Sequence, residues 1–171
     1  MFRRHLLLAG AAAAAPRAAR AQGSVTPDDR GGPPPAVGTP LPLPDVPLLD
    51  GGRFTAASAE GRVLVLYWWA SWCPFCALQS PHVEQLWRTQ RERGLMVLGL
   101  SVDRRAEDAA AYLARRGYTF PSGHVTPAVA AVLPKPKGLP VTVVRGRDGR
   151  VRLAEAGQLF PEDVQDIARL L

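Results

Sequence analysis

Two stretches of the chain are apolar at nearly every position: residues 63–69 (VLVLYWW) and residues 95–102 (LMVLGLSV). Runs of that length without alternation suit strands covered on both faces. Between them, residues 73–93 carry a helix-compatible pattern, with Pro81 as a kink and Gly94 as the C-cap. A second helix is predicted over 106–116, again closed by a glycine, Gly117, and a short third over 126–133. Residues 141–145 are rich in β-branched side chains. They pair with 151–156 across the turn Arg147-Asp148-Gly149-Arg150. Pro161 opens a final amphipathic helix reaching Leu171. Upstream, Leu48-Leu49 and Arg53-Phe54 flank Asp50-Gly51-Gly52, a hairpin signal. After that hairpin the order is β-α-β-α-(α)-β-β-α. Strands joined through helices should run parallel with right-handed crossovers, and the closing hairpin antiparallel. The pattern shows no internal repeat.

The first 45 residues fall outside this pattern. Arg3 and Arg4 precede an apolar stretch over 6–15, and Ala19-Arg20-Ala21 supplies small residues before Gln22. The apolar stretch is far shorter than the roughly 20 residues a span needs, so residues 1–21 read as a secretory signal peptide. The paired arginines loosely match a twin-arginine signal. No cysteine lies near the cleavage position, which argues against a lipoprotein anchor. Residues 22–45, including Pro33-Pro34-Pro35, read as a disordered or extended leader, with the folded domain expected over 46–171. The net charge of +6 weakens accordingly: without Arg3, Arg4, Arg17 and Arg20, 17 basic residues face 15 acidic ones. No basic stripe remains to bind nucleic acid.

The chain has two cysteines, Cys73 and Cys76, spaced C-x-x-C where the first apolar run meets the first helix. At a helix N-terminus the macrodipole and unpaired N–H groups favour thiolate over thiol. This is the chemistry of thiol–disulfide exchange. A purely structural bridge over two intervening residues would close a small loop and stabilise less than a long one. Zinc needs about four ligands. The three histidines are His5, His82 and His124, and His5 lies in the signal, so neither metal nor cofactor is expected.

Several motifs together carry a family resemblance: Trp69-Ala70-Ser71-Trp72-Cys73-Pro74-Phe75-Cys76, Ser80-Pro81, Gly99-Leu100-Ser101-Val102-Asp103, Gly138-Leu139-Pro140-Val141-Thr142 and Asp148-Gly149-Arg150-Val151. Over about residues 44–171 the chain resembles the thioredoxin superfamily. Within it, the likeness is to exported TlpA/ResA-like thiol–disulfide oxidoreductases, which include the cytochrome c maturation thioredoxins. The resemblance implies an α/β thioredoxin-like fold: a central mixed sheet flanked by helices, with an N-terminal β-hairpin and an extra helix insertion. It implies Cys73 as nucleophile and Cys76 as buried resolving thiol. Trp72, Pro74 and Phe75 would border or tune the exposed sulfur. A cis Pro140 would let Leu139 offer its backbone to an extended substrate segment.

Two positions depart from the family pattern. Tyr67 stands where many thioredoxins carry a buried acid, and Gln79 where some ResA-like reductases carry a glutamate. The proton relay for Cys76 is therefore open between Tyr67, water and another group. Glu84 and His82 read as solvated helix positions, Trp68 and Trp69 as core, and His124 receives no role. By resemblance, the function is periplasmic reduction of protein disulfides, and the partners it implies are apocytochrome c, copper-site proteins and a membrane thiol donor. An oxidase or isomerase is the main alternative, and a copper-handling module a weaker one. A peroxidase would need a cysteine outside the C-x-x-C.

Overall fold

The computed structural model of the protein describes residues 31–171. The expected signal peptide (1–21) and residues 22–30 of the expected leader lie outside the described residues. Strands β1 (Val46–Pro47) and β2 (Arg53–Phe54) form the N-terminal hairpin. The main strands are β3 (Leu64–Trp69), β4 (Met96–Ser101), β5 (Ser122–His124), β6 (Val141–Arg145) and β7 (Val151–Ala156). The helices are α1 (Pro74–Gln90), α2 (Ala106–Arg116), α3 (Pro127–Val132) and α4 (Pro161–Asp166).

The main sheet has the order β5-β4-β3-β6-β7. The all-apolar β3 is central and buried along its whole length, as its composition requires. It runs parallel to β4 and antiparallel to β6, which puts Tyr67 opposite Gly99 on one side and Thr142 on the other. The closing β6–β7 hairpin is antiparallel, as predicted. Trp68 and Trp69 are both buried. Trp69 packs against Tyr112 of α2 and Phe120, with ring centroids 5.6 and 6.5 Å away, so an aromatic cluster seats α2 on the sheet.

Three features differ from the pattern-based expectation. The hairpin pairs Val46–Pro47 with Arg53–Phe54, two residues earlier than Leu48-Leu49. Leu48 instead bridges Gly123. The strand β5 has no signal in the sequence, because Ser-Gly-His lacks the β-branched residues and Phe, Tyr or Trp that mark strands. It forms by parallel pairing with β4 and by the close approach of β1: a Cβ on Gly123 would lie 2.3 Å from Val46 Cγ1. Finally, the last helix is α only to Asp166 and tightens into a 3₁₀ turn over Ile167–Leu170.

The expected leader also needs correction where it is described. Residues 38–41 lie along the last hairpin as a strap. Gly38 N donates to Val151 O (2.8 Å), Val151 N to Thr39 O (2.9 Å) and Leu41 N to Gly149 O (3.0 Å). Leu41 is buried, and its carbonyl accepts from Arg145 Nε. Gly32 bridges Pro136 just ahead of the Leu139-Pro140 loop. Packed structure therefore begins before Val46, because the strap satisfies the outward-facing backbone groups of Val151 where β7 starts.

Candidate active site

Cys73 is the N-cap of α1, with Pro74 at the first helical position, where the missing N–H breaks no helical bond. Its extended backbone turns Sγ back over the first turn, where it accepts the Cys76 N–H at 3.2 Å. The dipole of the 17-residue helix and this N–H both favour a Cys73 thiolate. The expected contrast between an exposed and a buried sulfur is small: Cys73 is 4% exposed and Cys76 1%. Accessibility lies in the rim instead, where Trp72 is 52% and Phe75 56% exposed and Pro74 is exposed too. The first cysteine is buried, and its sequence neighbours Trp72, Pro74 and Phe75 are exposed.

The Leu139–Pro140 peptide is cis, as the resemblance implied. Register places it by the dithiol: Trp68 pairs with Val141, so Pro140 falls beside the end of β3, where the loop to Cys73 departs. Leu139 and Pro140 are buried, and Pro140 O accepts from Gly157 N at 2.8 Å.

Gln79 is fully buried and ties three elements together. Its Nε2 donates to Thr142 Oγ1 (2.8 Å), two residues after the cis-proline, and its Oε1 accepts from Leu159 N (2.7 Å) ahead of α4. The amide is therefore a strut between α1, β6 and the α4 approach. Tyr67 lies beneath the second cysteine. Its hydroxyl is 3.0 Å from Ser80 Oγ and 3.3 Å from Cys76 O, while Ser80 Oγ donates to the same carbonyl at 2.7 Å. Burial, then the nearby Cys76 sulfur, push the Tyr67 phenol well above its ordinary pKa, against a smaller opposing effect of the Ser80 bond. Tyr67 thus keeps its proton at neutral pH and is a donor.

Glu84 is not a solvated charge. It is 7% exposed and accepts from Thr119 N (2.7 Å), Thr119 Oγ1 (2.7 Å), Phe120 N (3.0 Å) and the Arg88 guanidinium. Burial raises its carboxyl pKa, but bonds from the Thr119 side chain and backbone, Arg88 and Phe120 outweigh that and hold it below the ordinary value. His82 is half-buried, and its carbonyl accepts from Gln165 Nε2 (3.2 Å). His124 Nε2 lies 2.7 Å from the Asp103 carbonyl. Asp103, to which the sequence motif assigns no role, is buried beneath the loop leading to Cys73. Among the described residues, no three His, Cys, Asp or Glu side chains gather as a metal site.

A mixed five-stranded sheet with C-x-x-C opening its first long helix, beside a cis-proline loop, is the architecture of a thioredoxin-like protein. The chain belongs to the AhpC/TSA family, whose model matches residues 37–153. Within that fold it is a thiol–disulfide oxidoreductase of ResA/DsbE type. It is similar to the thiol:disulfide interchange protein DsbE of Allochromatium vinosum, with 32% identity over 149 residues, 82% of this chain and 80% of that protein. It is also similar to the thiol-disulfide oxidoreductase ResA of Halalkalibacterium halodurans, with 22% identity over 72% of this chain and 70% of that protein. A 38-residue stretch, 22% of each chain, is 42% identical to the soluble secreted antigen MPT53 of Mycobacterium tuberculosis. Among solved structures, a thioredoxin-family thiol:disulfide interchange protein from Chlorobium tepidum superposes with a TM-score of 0.70 at 25% identity, covering 78% of this chain and 97% of that one.

Proposed function

We propose that the protein is an exported, periplasmic protein-disulfide reductase with Cys73 as nucleophile and Cys76 as resolving thiol. The observation that carries this assignment is the Cys76 N–H directed at Cys73 Sγ on the N-cap of α1. The Cys73 thiolate attacks one sulfur of a substrate disulfide, forming a mixed disulfide and releasing the other substrate sulfur as thiolate. Cys76 then gives up its proton and attacks Cys73 Sγ. The second substrate thiol leaves, and the protein holds a Cys73–Cys76 disulfide. Two electrons have passed to the substrate. With the Tyr67 phenol held protonated and the Gln79 amide bonded at both ends, the first released substrate thiolate or water takes the Cys76 proton.

Trp72, Phe75 and the backbone of Leu139 form the docking rim in this proposal. The signal-like residues 1–21 and the secreted relative support an extracytoplasmic location. Substrates would be disulfides of apocytochrome c or copper-site proteins, with a membrane thiol as electron donor. The reduction potential tests the direction. A value near or below about −250 mV supports a reductase, and one near about −120 mV makes the protein an oxidant. Trapping tests the roles: Cys76→Ser should accumulate the mixed disulfide with a substrate, and Cys73→Ser should form none.

A further inference from the structure

The loop from β3 to α1 is only residues 70–73, yet it sets where Trp72 and Cys73 stand. Internally it is closed as a turn by Cys73 N donating to Ala70 O (3.2 Å). At its far end Cys73 O accepts from Ala77 N of α1 (3.0 Å), and its middle is anchored by the next strand. Asp103, just past the end of β4, is 5% exposed. Ser71 N donates to both of its carboxylate oxygens (3.2 and 3.1 Å), and Ser71 Oγ to Oδ1 (2.6 Å). The carboxylate is itself held: Ser101 Oγ donates to Oδ2 (2.8 Å), and Asp103 N donates back to Ser101 Oγ (3.1 Å). His124 on β5 takes the Asp103 carbonyl at 2.7 Å, so Asp103 is pinned through backbone and side chain together.

We propose that Asp103 is a positioning residue of the dithiol site: through Ser71 it fixes the loop carrying Trp72 and Cys73, and so holds Cys73 Sγ against the Cys76 N–H. This rests on the assignment of Cys73 above. The donors of Ser71 and Ser101 occupy both carboxylate oxygens, so the group acts by accepting bonds and not by moving a proton. A buried carboxylate is retained only where such bonds compensate its lost hydration. Here the bonds converge on a residue two positions before the first cysteine. Loosening Ser71 frees the backbone of Trp72 and Cys73, which lengthens the contact between Sγ and the Cys76 N–H and withdraws part of the stabilisation of the thiolate.

The test uses the full chain carrying Cys76→Ser, which keeps the backbone N–H and leaves one thiol. The pH dependence of Cys73 alkylation by iodoacetamide is then read for Asp103→Ala, Asp103→Asn and Ser71→Ala. Asp103→Ala should raise the alkylation midpoint by about one pH unit, a roughly tenfold loss of thiolate below the midpoint. Asp103→Asn can keep Oδ1 on Ser71 and turn its amide NH₂ to Ser101 Oγ, so it should stay within about twofold of the parent. Ser71→Ala should shift the midpoint in the same direction as Asp103→Ala, but less. The proposal is overturned if Asp103→Ala merely lowers the melting temperature and leaves the midpoint in place. It is equally overturned if Asp103→Asn shifts as far as Asp103→Ala, which would make charge and not position the cause. If Asp103→Ala does not fold, a native Ser71→Ala with an unshifted midpoint overturns it. The midpoint is a property of the thiol, read whether or not Cys73 attacks a partner. Failure of the nucleophile assignment is seen separately, in the mixed-disulfide trap.

Discussion

Replacing Glu84 by alanine should cost far more than a charge on an exposed helix face would. The substitution removes the acceptor of four donors, three of which, on Thr119 and Phe120, join α1 to the segment entering β5. Phe120 N lies in the buried part of that junction, and leaving it without a partner costs about 1–3 kcal/mol. Thr119 is exposed and can turn to water, so its two bonds contribute about 0.5–1.5 kcal/mol together. The Arg88 side chain is 56% exposed, which limits the ion pair to about 0–1 kcal/mol. The sum is a loss of about 1.5–5.5 kcal/mol, or roughly 5–20 °C in melting temperature for a domain of this size. Glu84→Gln keeps one acceptor oxygen and should fall between.

Because the folded-state pKa of Glu84 is depressed, its stabilisation is complete above the unfolded glutamate value of about 4.3 and is lost as pH falls through the lower folded value. The stability gap between the parent and Glu84→Gln should therefore be constant from pH 6 to 8 and shrink towards pH 3. Urea unfolding of the three proteins at several pH values measures both effects. A cost for Glu84→Ala below about 0.5 kcal/mol, the range of ordinary surface substitutions, would refute the argument. So would a gap that does not change on acidification.

Three further outcomes are expected. Gln79→Ala should lose about 2–4 kcal/mol in urea unfolding, because Leu159 N keeps no acceptor and a cavity opens between α1 and β6; a loss under 1 kcal/mol would deny it the strut role. Tyr67→Phe should cost about 0.5–1.5 kcal/mol. It should also leave the shape of the pH–rate profile for mixed-disulfide resolution unchanged from pH 6 to 9, since the phenol does not ionise there. The disappearance of an ionisation in that range would contradict this. Gly99→Ala should destabilise by about 1–3 kcal/mol or more and perturb tryptophan fluorescence. Its Cβ would lie 2.3 Å from Ser122 Oγ and 2.9 Å from Trp69 Nε1, and native stability in that variant would count against the tight packing of β4 on β5.

The elements that carry strong local pattern are those the sequence reveals. The unbroken apolar run ending at Trp69 predicts a central strand, Gly117 closes α2 in a left-handed conformation, and Asp148-Gly149 turns the last hairpin. The dithiol is legible for the same reason, since two cysteines three residues apart at a strand–helix junction are local information. What periodicity does not encode is contact between distant segments. Glu84 reaches Thr119 across 35 positions, Asp103 reaches Ser71 across 32, and Gln79 reaches Leu159 across 80. Taken one at a time, each looks like an ordinary polar residue. Only the fold turns Glu84 from a surface charge into a buried acceptor. The strap was hidden likewise, because a Pro/Gly-rich composition reports low intrinsic order and nothing about the backbone groups that await it on β7.

That strap and the β1 hairpin have a bearing on solubility. A mixed sheet has two margins whose outward N–H and C=O groups can template another chain. Here one continuous run, residues 31–54, meets both. At the β7 margin it bonds Val151, and Pro40, bridged to Arg150, brings no N–H with which to extend a ladder. At the β5 margin, Leu49 N donates to Ser122 O at 2.8 Å on a strand only three residues long. A chain shortened to begin at residue 55 would keep its cysteines and central strands while baring both margins. Its characteristic failure would be concentration-dependent self-association through strand pairing, with the dithiol chemistry still intact in whatever fraction stayed monomeric.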